Sequence, residues 1–322
     1  MTCLDGTINC PNTQSIGITY GWSIPSGTIQ GTIVLFSGGK GTTPSEYGDD
    51  NLAYASAYQA NFVVIQLEYN SAWEDPNNGP GGSILNAACR PATFLNWVNN
   101  NVVLHPTATA MCAQGGSAGS GAISYSLAWY GASSYLKNVE LISGPVFSKI
   151  DQGCTWPNAL TMTICPAGQY GCTAKTTTWT DDVIYVGDYA KGVSNWSGLP
   201  YCGNSHVTSS EYPTWAAMSI VDGSSGTVTP AFDYPTTTMH SWLCSSYSVC
   251  NDGSCPNNSA SEGNYFYQQF SSMGPHPESF ALTGVTLCNQ EEGIGKGYDP
   301  DTGLKAPQAI NADMVGKCQI VH

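Results

Sequence analysis

Ala108-Thr-Ala-Met-Cys-Ala-Gln-Gly-Gly-Ser117-Ala-Gly-Ser-Gly-Ala-Ile-Ser-Tyr is the stretch with the clearest chemical content. A short apolar run leads into Gly115-Gly116-Ser117-Ala118-Gly119, and a helix-compatible segment follows. Strand, Gly-x-Ser-x-Gly, helix is the order that makes such a motif a nucleophile elbow rather than a glycine-rich loop. The residue types have physical reasons. A serine on a tight strand-to-helix turn needs neighbours without side chains, because a Cβ there meets backbone. The new helix points its first amides at the place where negative charge would develop during attack on a carbonyl.

The elements that must carry this turn follow from hydrophobic pattern. Ile16 to Ile24 alternates weakly and reads as an edge strand, and Gly31 to Phe36 reads as a buried one. Asn51 to Ala60 suits a helix, Phe62 to Tyr69 a strand, and Ser83 to Val98 a helix with Ala87, Ala88, Phe94, Leu95 and Val98 on one face. The elbow helix extends to about Tyr130, and Val139 to Ser143 is a short strand. Thr237 to Leu243 and Phe280 to Leu287 read as strands, Tyr265 to Phe270 as a short helix, and Pro307 to Val315 as a closing helix with proline just inside its start. Alternation of strand and helix predicts an α/β domain with a mostly parallel central sheet and helices on both faces. Residues 147–212 break the alternation with four cysteines, many threonines and glycines, and little periodicity. The expectation is one domain over 1–322 with a disulfide-stapled, Cys-rich insertion or cap at 147–212.

Composition narrows the functional classes. Charged residues make up 10% of the 322 residues, and the net charge of −14 comes from 23 acids against nine lysines and arginines. Such a chain does not track phosphate backbones, so nucleic acid is not expected as a partner. No apolar run reaches membrane-span length, and no signal-peptide pattern opens the chain. The 13 cysteines show no paired zinc spacing. Disulfides in an oxidising compartment explain them better, which predicts a secreted or extracellular protein. Cys3 with Cys10, Cys250 with Cys255 and Cys288 with Cys318 are pairings that spacing allows. The odd count leaves at least one free thiol, and Cys112, inside the elbow strand, is the candidate. Neither a dinucleotide fingerprint nor a phosphate loop is present, so no cofactor and no metal are expected.

The series resembles the α/β-hydrolase superfamily over most of the chain outside the insertion. The residues that carry the resemblance are Ser37-Gly38-Gly39-Lys40-Gly41 after the third strand, Ser117 at the elbow, and Ser143-Gly144-Pro145 after the next strand. The resemblance implies an oxyanion hole built from the N–H of Ala118 and one N–H of residues 38–40, for which Gly39 is chosen. It implies the order serine, acid, histidine. Asp252 is the first acid after the strand at 237–243, with Asp222, Asp233 and Glu262 as other candidates.

The base departs from the pattern. The expected region reads Thr286-Leu-Cys-Asn-Gln-Glu-Glu292-Gly and holds no histidine, and Glu292 falls nearest the slot. His105 precedes the elbow strand, His206 lies in the insertion, His240 sits within a strand as a structural histidine, His276 precedes the last strand, and His322 is terminal. Three readings stay open. Glu292 occupies the base slot, a weak base unless burial raises its pKa. His206 or His276 folds back to Ser117. Or the site is degenerate and the protein binds an extracellular glycan or protein. The first two make it a secreted esterase-like serine hydrolase acting on an ester-containing small molecule or polymer.

Overall fold

In the computed structural model, the described residues are 2–39, 41–43, 49–75, 83–106, 109–148, 150, 161–165, 175–178, 217–221, 234, 236–244, 263, 266–267, 279–288 and 294–319. The strands are β1 (Thr2–Ile8), β2 (Ile16–Ser23), β3 (Gly31–Phe36), β4 (Phe62–Tyr69), β5 (Ala110–Gly116), β6 (Leu136–Ile142), β7 (Thr161–Cys165), β8 (Lys175–Thr178), β9 (Thr238–Cys244) and β10 (Ser279–Val285). The helices are α1 (Asp49–Tyr58), α2 (Ile84–Ala87), α3 (Cys89–Asn99), α4 (Ala118–Tyr130) and α5 (Ala306–Lys317).

Eight strands form one sheet in the order β1-β2-β4-β3-β5-β6-β9-β10. The β1–β2 and β2–β4 pairs are antiparallel and every other pair is parallel. This is the mostly parallel sheet that the alternation of elements predicts. Every residue of β3 is buried, as a central parallel strand covered on both faces must be. One core lies on the α3 and α4 side, with Val34, Ile65, Phe94, Leu95, Ile123 and Leu127. The other lies under α1 and α5, with Leu35, Tyr58, Val64, Trp242, Ile310 and Met314. Two cores on one sheet make a three-layer α/β architecture.

Some elements differ from expectation. Residues 16–23 are not the edge, because β1 pairs along their whole length. The helix foreseen over 83–98 is broken at Ala88 into α2 and α3. Pro91, in the first turn of α3, has no N–H to give the Ala87 carbonyl, so the ladder cannot run through unbroken. Within the segment foreseen as an insertion, β7 and β8 form an antiparallel ladder, and the rest of 151–216 lies outside the described residues. Of the helix foreseen at 265–270, only residues 266 and 267 are described, and both are helical.

The cysteine pairings are largely corrected. The disulfides among the described residues are Cys10–Cys89, Cys112–Cys318 and Cys244–Cys288, and Cys3 is exposed and unpaired. Cys3 cannot close a loop with Cys10, because nearly all of the extended strand β1 separates them. Cys112 is not a free thiol. Its strand faces the α5 layer, where Cys318 ends the helix. Cys288 does not meet Cys318. It lies beyond the C-terminal end of β10, whereas the Cys318 thiol approaches the Thr32 carbonyl near the opposite sheet end. The pair foreseen at Cys250 and Cys255 lies outside the described residues.

Candidate active site

Ser117 occupies the single residue between β5 and α4, with φ 49° and ψ −119°. That is a strained backbone for a residue with a Cβ, and such strain persists only where surrounding structure enforces it. The enforcement is visible. The Ser117 N–H donates to the Ile142 carbonyl at 2.8 Å, and the Ser117 carbonyl accepts from the Gly121 N–H at 3.1 Å and from the Ser120 hydroxyl. A Cβ on Gly115 would lie 2.5 Å from the Gly119 carbonyl carbon and oxygen. A Cβ on Gly119 would lie 2.7 Å from the Ser37 carbonyl oxygen and 2.8 Å from that of Phe36. The glycines therefore permit two close approaches: strand to helix, and helix to the loop after β3.

That second approach places the Ser37–Gly39 loop beside the start of α4. Gly39 has φ 51°, and the Gly41 N–H closes a turn onto the Gly38 carbonyl at 3.0 Å. Among the described residues, no acceptor takes the N–H of Gly39 or of Ala118, the first residue of α4. The hydroxyls of Ser37 and Ser143, at the ends of β3 and β6 on either side of β5, are also buried and, among the described residues, without a hydrogen-bond partner. Polar groups thus gather at the C-terminal ends of three neighbouring parallel strands, where open α/β sheets place their ligands. Ser117 itself is only 6% exposed, so its hydroxyl lies at the base of this region rather than on an open surface.

Asp252 and Glu292 lie outside the described residues, as do His206, His276, Asp222, Asp233 and Glu262. The strands that precede Asp252 and Glu292 are described. The Cys244–Cys288 disulfide joins the end of β9 to the chain just past β10. It therefore ties together the two segments from which residues 252 and 292 emerge. His105 precedes β5, at the sheet end opposite Ser117. His240 lies in mid-strand on β9, and both its ring nitrogens are engaged: Nδ1 with Asp313 Oδ2 at 2.8 Å and Nε2 with the Thr283 hydroxyl at 2.8 Å. Its ring stacks on Trp242 at 4.0 Å.

His240 belongs to a buried cluster that sequence reading misses. In register with it on β6 is Glu140, fully buried, which accepts from Trp242 Nε1 at 2.6 Å and Asn138 Nδ2 at 2.7 Å. Asp313 and Lys317, one turn apart on α5, form an ion pair at 2.7 Å. Burial, then the neighbouring Asp313 charge, raises the Glu140 pKa well above the carboxylate range. Burial acts on Asp313 in the same sense, but hydrogen bonds from His240, Glu140 and Lys317 outweigh it and hold Asp313 low. Burial also lowers the His240 pKa. The cluster therefore favours the neutral forms of Glu140 and His240 and the ionised form of Asp313.

Glu140, His240 and Asp313 offer donor atoms within 4.8 Å of one another, the spacing of a metal site. Trp242 and Asn138 already donate to the two Glu140 oxygens, Asp313 and Thr283 engage both imidazole nitrogens, and Lys317 sits on Asp313 Oδ2, so the donor atoms are satisfied without a cation. A mid-strand glutamate inside Val139-Glu-Leu-Ile142 is the sequence signal that was available.

This arrangement has a pH consequence. Because Glu140 gives up its proton more readily unfolded than folded, the unfolded state gains from ionisation above the ordinary carboxylate pKa, and stability falls as pH rises. His240, held low, acts oppositely only below its ordinary value of 6.5. Above pH 7 the Glu140 effect stands alone between the two. We expect Glu140→Gln to flatten the decline in unfolding free energy from pH 7 to 9, by up to about 1.4 kcal/mol per pH unit. Urea unfolding across that range measures it. Parallel slopes in the two proteins would show that Glu140 is ionised in the fold.

No family model matches the sequence, and no curated protein does. Solved structures do. A protein assigned as a carboxylesterase from Lactobacillus plantarum superposes with TM-score 0.51 at 15% identity, covering 98% of each chain. Brefeldin A esterase, described as a bacterial homologue of human hormone-sensitive lipase, gives TM-score 0.53 at 14% identity over 99% of this chain and 76% of that one. An esterase from Pyrobaculum calidifontis gives 0.51 at 13% identity over 99% and 87%. The chain has the α/β-hydrolase fold.

Proposed function

We propose that this protein is a secreted serine hydrolase of carboxylic esters with Ser117 as its nucleophile. The observation that carries the reading is the strained Ser117 turn. A non-glycine residue at φ 49° is costly to hold, and here two glycine close approaches hold it at the mouth of a parallel strand. The Ser117 hydroxyl attacks the ester carbonyl, and its proton passes to a base. Charge on the carbonyl oxygen is met by the N–H groups of Gly39 and Ala118. The proton then leaves with the alcohol, and water releases the acyl group from Ser117. Glu292 is proposed as the base and Asp252 as the supporting acid, each on a segment tethered by the Cys244–Cys288 disulfide. The three disulfides among the described residues support an oxidising, extracellular setting. Among the described residues no helix is long and apolar enough to cross a membrane. We also propose that residues 147–212 form an insertion over the site.

A fluorophosphonate probe tests the reading directly. Labelling should map to the peptide bearing Ser117, and prior incubation with a short-chain p-nitrophenyl ester should slow it. A second reading, a glycan- or protein-binding protein on this fold, is favoured by the absence of histidine between Val285 and the terminal His322. Folded protein that takes no label supports that second reading and sinks the first.

A further inference from the structure

Away from Ser117, a cavity of about 390 Å³ opens between the β1–β2 hairpin and α3. Its volume is in the usual range for small-ligand sites. Its walls are aromatic: Trp97 meets Tyr20 edge-on at 5.1 Å and lies 5.7 Å from Phe94, and Trp97 is 39% exposed. Its rim is polar and uncharged. Thr7 and Asn9 are exposed, and among the described residues the Thr7 hydroxyl, the Asn9 amide nitrogen and the Tyr20 hydroxyl make no hydrogen bond. Among the described residues no charged side chain lines the cavity, in a chain of net charge −14.

The two walls are joined covalently. Cys10, just past β1, is bonded to Cys89, the first residue of α3, and the Thr93 hydroxyl touches the sulfurs of both. The site is thus preformed, and binding a ligand there costs the protein little ordering. The position also matters. Register runs from Tyr20 through Leu67 and Phe36 to Gly115, so the cavity lies level with the Ser117 turn. The β2 strand is three strand spacings from β5, about 14 Å.

We propose that this cavity binds a neutral sugar ring, as a subsite separate from Ser117. Aromatic faces pack against the apolar C–H face of a pyranose, while uncharged donors at the rim meet its equatorial hydroxyls. An ionic ligand finds no counter-charge here. A plain aryl ring uses the faces but leaves three polar groups without a role. The inference concerns binding alone and does not depend on the ester chemistry.

The test is titration of the full chain with cellohexaose, xylohexaose, mannohexaose and chitohexaose, followed by calorimetry and tryptophan fluorescence. At least one should bind. Trp97→Ala should weaken it about tenfold or more, and Ser117→Ala should leave it unchanged. Because Trp97 is partly packed, the double variant Thr7→Ala with Asn9→Ala serves as a second probe on exposed positions and should also weaken binding. No binding of any of the four overturns the proposal. So does binding that survives both sets of variants, or occupancy by benzyl alcohol with no oligosaccharide binding.

Discussion

On the proposed mechanism, Ser117→Ala is expected to lower kcat/KM on an activated ester by at least about a thousandfold and to leave the fold intact. The size follows from the proposed role: removing a nucleophile removes covalent catalysis, and what remains is binding and oxyanion stabilisation alone. The fold is expected to survive because the Ser117 backbone supplies the turn's N–H and carbonyl hydrogen bonds, and alanine keeps both. Because alanine lacks only the Oγ, circular dichroism and the melting temperature should match the parent while turnover vanishes. Hydrolysis that persists within tenfold of the parent would place the chemistry on another group.

Gly119→Ala acts through structure instead. Its new methyl would have to fit 2.7 and 2.8 Å from two backbone carbonyl oxygens of Phe36 and Ser37. Backbone cannot rotate away as a flexible side chain can, so α4 and the loop after β3 must part. Overpacking of this kind costs about 1–3 kcal/mol. The same displacement moves Gly39 away from Ala118, so on the proposed mechanism esterase activity should fall as well. Gly316→Ala in α5 is the control. A Cβ there meets nothing within 4 Å, and helix propensity favours alanine by up to about 1 kcal/mol. Urea unfolding of both variants measures the contrast. Equal stability of Gly119→Ala and the parent would mean that the loop and helix are not held in contact.

How legible the molecule is in its residues depends on how local each feature is. The limits of β3 and β4 emerge from apolar runs alone, at 31–36 and 62–69. The turn at Ser117 is legible too, because its cause is a glycine pattern within five residues. The edge of the sheet is not, because β1 becomes a strand through pairing with β2, and its own pattern is weak.

Chain-local chemistry therefore dictates the strained serine, the low share of charged residues and the alternation that yields a three-layer α/β fold. Strand order settles the remainder. Cys112 meets Cys318 across 206 positions because β5 lies at the centre of the sheet beneath α5. Glu140, His240 and Asp313 converge from β6, β9 and α5 because two parallel strands align in register under one helix. Spacing along a chain does not encode which distant segments become neighbours. Burial of whole faces against one another does, and that exists only once the sheet has formed.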